Sequence, residues 1–167
     1  MDIQIRPVTP DDAAGVVAIF NPIIESGLYT SFDTPFTVEA ERSYIESMGN
    51  RDIFHVAVNS VTGRIVGFQS ASPIPSFSTG MAHVGSMGTF IDLNLRRQGI
   101  GRRLYPITFQ AAREKGYEKL FTYVRGDNPA ALRAYTSHGF EIVGTAKRHL
   151  KLKDGSYVDE IIIEKHL

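Results

Sequence analysis

The sequence predicts an α+β fold, with a mixed central β-sheet flanked by helices in the order β-α-α-β-β-β-α-β-α-β-β. The first observation is that the hydrophobic pattern alternates along the chain between the two-residue period of strands and the 3.6-residue period of helices. The second is a length of 167 residues, which suits one domain. The third is a composition with 43% hydrophobic and 22% charged residues, as in globular proteins. We therefore expect a single domain that spans residues 1–167.

The first third of the chain is predicted to contain one strand and two helices. Residues 3–6 alternate between apolar and polar side chains, as strands do. Residues 9–12, Thr-Pro-Asp-Asp, supply a helix N-cap, a first-turn proline and two acids that suit the positive end of the helix dipole. A second helix is expected at 38–48. The aromatic, proline-containing segment 28–36 between the helices is expected to be a loop over the body of the domain.

The remaining chain is predicted to contain six strands and two helices. Segments 53–58 and 64–68 alternate with a period of two and are expected to form a hairpin. The Ser- and Pro-rich segment 70–80 is expected to be a connection. Pro106 should distort the first turn of the helix that contains it. The later elements are predicted as a strand at 83–91, a helix at 101–115, a strand at 119–124, a helix at 129–138 and strands at 140–146 and 157–164.

Composition and charge argue against several classes of function. Eighteen Lys and Arg balance eighteen Asp and Glu, so the chain lacks the broad basic field that nucleic-acid binding requires. The absence of cysteine excludes disulfides, thiolate metal sites and a cysteine nucleophile, and the five histidines lack metal-ligand spacing. Charged residues near the start argue against a signal peptide, and no apolar stretch approaches the ~18 residues of a membrane span. We expect a cytoplasmic protein without a metal, a nucleic-acid partner or a membrane partner.

A glycine-rich turn between a predicted strand and a predicted helix is the most informative motif. Gly99 and Gly101 would let the backbone approach a bulky ligand, and the free N–H groups of a helix start bind anions. A dinucleotide fingerprint would need glycine where Leu104 stands. Guanidinium groups around the turn match phosphate oxygens in bidentate geometry; they belong to Arg96, Arg97, Arg102 and Arg103. The motif indicates a pyrophosphate site, although two glycines alone also fit a purely structural turn.

The run Arg96-Arg97-Gln98-Gly99-Ile100-Gly101 resembles the acetyl-CoA motif of the GCN5-related N-acetyltransferase (GNAT) superfamily, Gln/Arg-x-x-Gly-x-Gly/Ala. Residues 128–140 resemble a second signature of the family, with Asn, a helix, Tyr and Gly-Phe. The order of elements agrees from Ile3 to Glu164, nearly the whole chain. The resemblance implies a GNAT-type domain that transfers an acetyl group from acetyl-CoA to a primary amine by direct attack on the thioester, without a metal.

The resemblance also implies roles for individual residues. The backbone of residues 89–91 should pair with the pantetheine arm of acetyl-CoA, and the amides of 97–102 should hold the pyrophosphate. Tyr135 matches the position whose hydroxyl lies near the thioester sulfur, where it would act as general acid. The cofactor-binding residues expected from the resemblance are Thr89, Phe90, Ile91, Arg96, Arg97, Gln98, Gly99, Ile100, Gly101, Arg102, Asn128 and Ala131.

Segments 19–26 and 29–35 resemble the phosphinothricin acetyltransferase branch of the family, which acetylates small amino acids and their analogues. The carboxylate that this branch carries on its central strand would fall at Ser86, so the usual general base is missing. His83 on the same strand could replace it, and so could an ordered water. Tyr29 and Phe32 are expected either to wall the acceptor pocket or to fill the core.

Three functions remain open from the sequence. The first is acetylation of a small-molecule amine, with an amino acid or analogue as the acceptor. The second is acetylation of a protein or peptide amine, which would need an open groove. The third is a non-catalytic domain that senses acetyl-CoA, because a fold alone does not decide activity. The resemblance also implies a homodimer.

Overall fold

The computed structural model describes residues 1–75 and 78–167, and within them the strands and helices follow the predicted order. The predicted connection at 70–80 overlaps a strand, and its residues 76 and 77 lie outside the described residues. The strands are β1 (Ile3–Pro7), β2 (Ile53–Asn59), β3 (Ile65–Pro73), β4 (Val84–Ile91), β5 (Lys119–Arg125), β6 (Glu141–Lys151) and β7 (Tyr157–His166), and the helices are α1 (Ala13–Glu25), α2 (Val38–Glu46), α3 (Ile100–Glu114) and α4 (Pro129–Thr136).

The seven strands form one mixed sheet in the order β1-β2-β3-β4-β5-β7-β6. Strands β4 and β5 run parallel, and their pairing covers three residue pairs, from Val84–Lys119 to Ser86–Phe121. Both strands continue beyond this point without pairing to each other. The backbone of β4 after Ser86 is therefore free on the side that faces β5.

The helices cover opposite faces of this sheet. On β4, Phe90 packs with residues of α1, whereas Met87 packs in the cluster that includes α3 and Tyr135 of α4. Successive side chains of a strand point to opposite faces, so residues 87 and 90 identify the two sides. The α1–α2 side and the α3–α4 side each hold a hydrophobic cluster, and the sheet lies between them.

Local signals explain most of the helix boundaries. Thr9 is the predicted N-cap and forms a capping box with Asp12, but it caps a 3₁₀ turn at Pro10–Asp12, and α1 begins at Ala13. Helix α2 begins after Thr37, whose hydroxyl accepts the amide of Ala40. Helix α3 continues as α-helix through Pro106. Across the described part of the chain, the helices lack the length and apolar character that crossing a bilayer requires.

Candidate active site

The opening between β4 and β5 is a cleft of about 940 Å³. Its first wall is residues 86–91 of β4 with the turn that leads into α3, and its second wall is residues 122–125 of β5 with the start of α4. Residues 29–32, between α1 and α2, cover it. The cleft is thus enclosed by segments from four parts of the sequence that come together only in the folded chain.

The turn into α3 has the geometry of an anion site. Gly99 is the helix N-cap and adopts a left-handed conformation with φ 77°, and Arg97 is also left-handed, with φ 62°. Alternation of such conformations turns successive N–H groups toward one point, next to the positive end of the helix dipole. Buried Asp92 holds the turn, because it accepts the amide of Asn94 at 2.9 Å and the Arg64 guanidinium at 2.6 Å.

The side chains around this turn supply positive charge for an anion and leave space for it. Arg96, Arg97 and Arg102 line the cleft, whereas Arg103 reaches back toward the carbonyl of Ile3. A Cβ atom built on Gly101 would meet its nearest neighbours, atoms of the Ile91 side chain, only at 4.0 Å. The backbone at Gly101 is therefore open, and three cations lie around it.

The two walls also present groups for an extended ligand. Thr89, Phe90 and Ile91 pair with β3 on one side, which leaves their other side facing the cleft. On the opposite wall, the side-chain oxygen of Asn128 caps α4 by accepting the amide of Ala131 at 3.1 Å. This bond fixes the Asn128 side chain, and its amide nitrogen is then the group that can donate to a ligand carbonyl.

Tyr135 is held rigidly in the wall of the cleft. Its hydroxyl donates to Thr89 Oγ1 at 3.2 Å, and the same oxygen accepts from Gln69 Nε2 at 2.8 Å. The rings of Tyr105 and Phe140 pack edge-on against it, at centroid distances of 5.7 and 5.1 Å. Burial raises the pKa of Tyr135 to about 12, although its hydrogen bond to Thr89 acts in the opposite direction. At neutral pH the hydroxyl is protonated and serves as a donor.

The segment 28–36, called the cover segment below, contributes residues 29–32 to the lining of the cleft and is tied down at both ends. The Asn21 side chain exchanges two hydrogen bonds of 2.9 Å with the backbone of Phe36. Buried Arg125 donates to the carbonyls of Gly27 at 2.7 Å and Thr30 at 3.3 Å. These contacts keep the segment over the opening between β4 and β5.

The two aromatic residues predicted for this cover both line the cleft. The Arg96 guanidinium lies 3.8 Å from the ring centroid of Tyr29, a cation–π contact that joins the anion site to the cover. Phe32 packs edge-on against Phe20 at 5.3 Å, while about half of the residue stays exposed. Phe32 therefore contributes to both the core and the cleft.

Most of the predicted site residues meet in this cleft, and two do not. His83 is exposed, precedes β4 and does not line the cleft, and Gln98 is exposed and lies outside it as well. Those that line it are Tyr29, Phe32, Ser86, Thr89, Phe90, Ile91, Arg96, Arg97, Gly99, Ile100, Gly101, Arg102, Asn128, Ala131 and Tyr135.

Sequence reasoning missed two charged residues of the cleft, Arg125 and Glu160. Both are buried and line it, and they face each other across β5 and β7. A weak signal was present, because Glu160 precedes the apolar run of residues 161–163 in a predicted strand. Nothing local, however, pairs it with a residue of β5.

A model of the acetyltransferase (GNAT) family matches residues 24–140, which is more than half of the chain. The chain belongs to this family. The phosphinothricin N-acetyltransferase of Streptomyces coelicolor is 26% identical over 172 aligned residues, which cover 99% of this chain and 97% of that protein. A ribosomal-protein-alanine N-acetyltransferase from Brucella melitensis is 29% identical with a TM-score of 0.88, over 98% of this chain and 99% of the other.

A third comparison shows the same fold. The phosphinothricin acetyltransferase from Sinorhizobium meliloti, solved in complex with acetyl-CoA, superposes with a TM-score of 0.88 at 21% identity, over 100% of this chain and 89% of the other. GNAT acetyltransferases use acetyl-CoA, so this chain is an acetyl-CoA-dependent acetyltransferase. Family membership favours this conclusion over a non-catalytic sensing domain.

The cleft of this GNAT enzyme suits acetyl-CoA chemically. The open backbone at Gly101 and three cations match a pyrophosphate, and the free edge of β4 matches the amides of a pantetheine arm. In the described residues, no three His, Cys, Asp or Glu side chains cluster closely enough to hold a metal ion.

Proposed function

We propose that this enzyme acetylates the primary amine of a small molecule, with an amino acid or an amino-acid analogue as the acceptor. The observation that carries the proposal is the cover segment 28–36, because Asn21 and Arg125 anchor it over the cleft. A covered cleft favours a small acceptor over a polypeptide. The likeness to the Streptomyces coelicolor phosphinothricin N-acetyltransferase across 99% of the chain gives further support.

In this proposal one domain, residues 1–167, holds both substrates. Arg96, Arg97 and Arg102, with the backbone amides at the start of α3, bind the pyrophosphate of acetyl-CoA. The open edge of β4 at 89–91 and the side-chain amide of Asn128 bind the pantetheine arm. Acetyl-CoA supplies the acetyl group as a thioester.

Tyr135 then acts on the leaving sulfur as a hydrogen-bond donor. A tyrosine with a pKa of about 12 is a weaker acid than a thiol with a pKa near 8.5, so proton transfer from Tyr135 to the thiolate is unfavourable. The gap of about 3.5 units corresponds to about 5 kcal/mol, so complete transfer from Tyr135 is uphill. A hydrogen bond to the developing negative charge requires no such transfer and still stabilises the transition state.

The acceptor amine must lose a proton before it can attack. Ser86 lines the cleft but cannot serve as a base, and His83 lies outside the cleft. The base is therefore a group other than His83. Ser86, together with Ser70 and Ser72 of β3, gives the acceptor face neutral hydrogen-bonding groups.

An acceptor screen with mass detection of acetylated products tests the proposal. The panel contains the twenty L-amino acids, phosphinothricin, spermidine and a peptide with a free N-terminal alanine. We expect at least one amino acid or phosphinothricin to give the highest kcat/KM. A far higher kcat/KM for spermidine or for the peptide would contradict the assignment.

Protein N-acetylation is the second candidate, and one comparison favours it. The Brucella melitensis neighbour is described as a ribosomal-protein-alanine N-acetyltransferase and is 29% identical. The peptide in the panel represents this class of acceptor. Exclusive acetylation of the peptide would favour this candidate and would imply that segment 28–36 opens.

Two further parts of the proposal concern the cell. The resemblance to the family supports a homodimer, and the edge strand β6 with its exposed apolar residues is compatible with one. The cysteine-free composition is compatible with a cytoplasmic location. Fractionation of cells with an antibody to the protein tests the location.

A further inference from the structure

A buried carboxylate lines the acceptor side of the cleft. Glu160 on β7 is 7% exposed and lies opposite Arg125 of β5 in the sheet register. Side chains that face each other across two strands lie on the same face of the sheet. Arg125 reaches the carbonyl of Thr30 in the cover segment, so Glu160 also lies on the covered face.

The carboxylate of Glu160 has no hydrogen-bond partner within the described residues. The charge of Arg125 faces Glu160 across the strand pair, and the ring of His149 on β6 has its Nε2 3.9 Å from Glu160 Oε2. The hydrogen bonds of Arg125 go to other groups, with two of 2.9 and 2.7 Å to Asp127 and others to backbone carbonyls. A largely buried carboxylate that accepts no hydrogen bond from the protein can accept one from a cationic ligand in the cleft.

Measured along the strands, Glu160 also lies at nearly the same level as the Tyr135 hydroxyl. Strand β4 pairs with β5 up to Ser86–Phe121, so three residues further along both strands Thr89 is level with Val124. Arg125, the next residue of β5, pairs with Glu160. Since the Tyr135 hydroxyl contacts Thr89, Glu160 and Tyr135 lie at nearly the same level on opposite faces of the sheet.

We propose that Glu160 binds the ammonium group of the acceptor and accepts a hydrogen bond from it while the amine passes a proton to solvent before attack. This inference rests on the proposed function, since it requires an amine acceptor in this cleft. It supplies the carboxylate that Ser86 cannot provide. The groups that face Glu160 are Arg125 and Tyr123 on β5 and His149 on β6, and the cover at 29–32 contributes Tyr29 but no charged side chain.

The proton balance of this step is complete. One N–H bond of the ammonium breaks, an O–H bond forms on a solvent water, and the neutral amine keeps the electron pair. As the amine nitrogen bonds to the acetyl carbon and the C–S bond breaks, a second amine proton goes to the departing sulfur.

The test compares Glu160→Gln, which removes the charge but keeps the shape, with Glu164→Gln as a matched control. Glu164 lies on the same strand, but it pairs with Lys119 and does not line the cleft. The first readout is calorimetric binding of the best acceptor of the panel to protein saturated with coenzyme A, where no reaction occurs. The second is kcat/KM as a function of pH, with Glu160→Asp as the conservative variant.

For Glu160→Gln we expect weaker acceptor binding, a roughly 10²-fold lower kcat/KM and loss of the acidic limb of the pH profile, with unchanged acetyl-CoA affinity. Glu160→Asp should recover part of the activity and the acidic limb. Wild-type kcat/KM and pH profile in Glu160→Gln would overturn the inference. An equally large loss of kcat/KM in Glu160→Asp would also overturn the inference. A loss of kcat/KM that is accompanied by loss of acetyl-CoA binding would overturn it as well.

The panel separates this inference from the proposed function. If only the peptide is acetylated, the proposed function fails. The same Glu160 variants are then compared with the peptide amine as the acceptor, which tests the inference separately. If wild-type protein acetylates small amines and Glu160→Gln matches it, the inference alone fails. A wild-type protein that acetylates nothing in the panel overturns both.

Discussion

Gly101 lies in the first turn of α3 with open space in front of its α-carbon. A valine there should fold without a clash, because its Cβ atom would stand 4.0 Å from the nearest atoms, which belong to the Ile91 side chain. Its branched side chain would instead fill the space that the pyrophosphate needs. We expect Gly101→Val to weaken acetyl-CoA binding by at least about 10-fold, or about 1.4 kcal/mol, as measured by calorimetry.

Arg103→Ala is the control for this variant, because Arg103 does not line the cleft. It should leave the affinity nearly unchanged. Gly99→Val would be a poorer test, since Gly99 has φ 77° and any branched side chain there strains the backbone. Equal acetyl-CoA affinity in wild type and Gly101→Val would contradict the assignment of the turn.

The Tyr135 hydroxyl is the second group whose role can be isolated. Phenylalanine keeps the packing against Tyr105 and Phe140 and removes only the donor. We expect Tyr135→Phe to lower kcat roughly 10²-fold where chemistry limits the rate. Acetyl-CoA affinity should barely change, because the lost hydrogen bond acts mainly in the transition state.

Tyr117→Phe is the matched control, since Tyr117 is also buried but donates to the carbonyl of Arg51, away from the cleft. It should keep the kcat of the wild type. If Tyr135→Phe also kept it, Tyr135 would be a packing residue that does not stabilise the departing sulfur.

At the scale of elements, the proposed function gives the cover segment the role of holding the acceptor. Its C-terminal anchor is the Asn21 side chain, which replaces a strand partner for the backbone of Phe36. Removal of both hydrogen bonds in Asn21→Ala should loosen the segment and raise the KM for the acceptor roughly 10-fold, an effect of about 1.4 kcal/mol. Steady-state kinetics with the best acceptor of the panel measure it.

The exposed residue Asn50 provides the control, because Asn50→Ala changes an amide that does not line the cleft. The KM for acetyl-CoA should stay within about twofold in both variants, since the anion site does not include α1. A larger change in the KM for acetyl-CoA than for the acceptor would mean that segment 28–36 serves the donor.

At the scale of the whole molecule, strand β6 leaves one edge of the sheet open. Ile142 and Val143 on this strand are 56% and 51% exposed. An edge strand with exposed apolar side chains can pair with another chain. We expect a homodimer that uses this edge, and Val143→Asp should convert it to a monomer in sedimentation experiments.

Val61→Asp is the control, because Val61 is 85% exposed in the turn between β2 and β3. It tests whether placing an aspartate at any exposed valine dissociates the dimer. It should leave the association state unchanged. A wild-type protein that sediments as a monomer at micromolar concentration would contradict the homodimer.

The sequence by itself determined the order of strands and helices, and it predicted the anion-binding turn before α3. These features depend on short-range patterns, such as apolar periodicity and the two closely spaced glycines Gly99 and Gly101. The nest of amides at the turn needs residues that are close in the chain. A local pattern is therefore sufficient to predict it, and the family resemblance added the identity of the donor.

Tertiary structure alone decided which charged side chains meet in the cleft. Arg125 and Glu160 come together because β5 pairs with β7, whereas His83 is exposed and does not line the cleft. The Asn21 anchor likewise joins α1 to a loop that the sequence could only describe as aromatic. Such contacts depend on strand register and on which face a side chain occupies, and a shift of one residue would reverse the face.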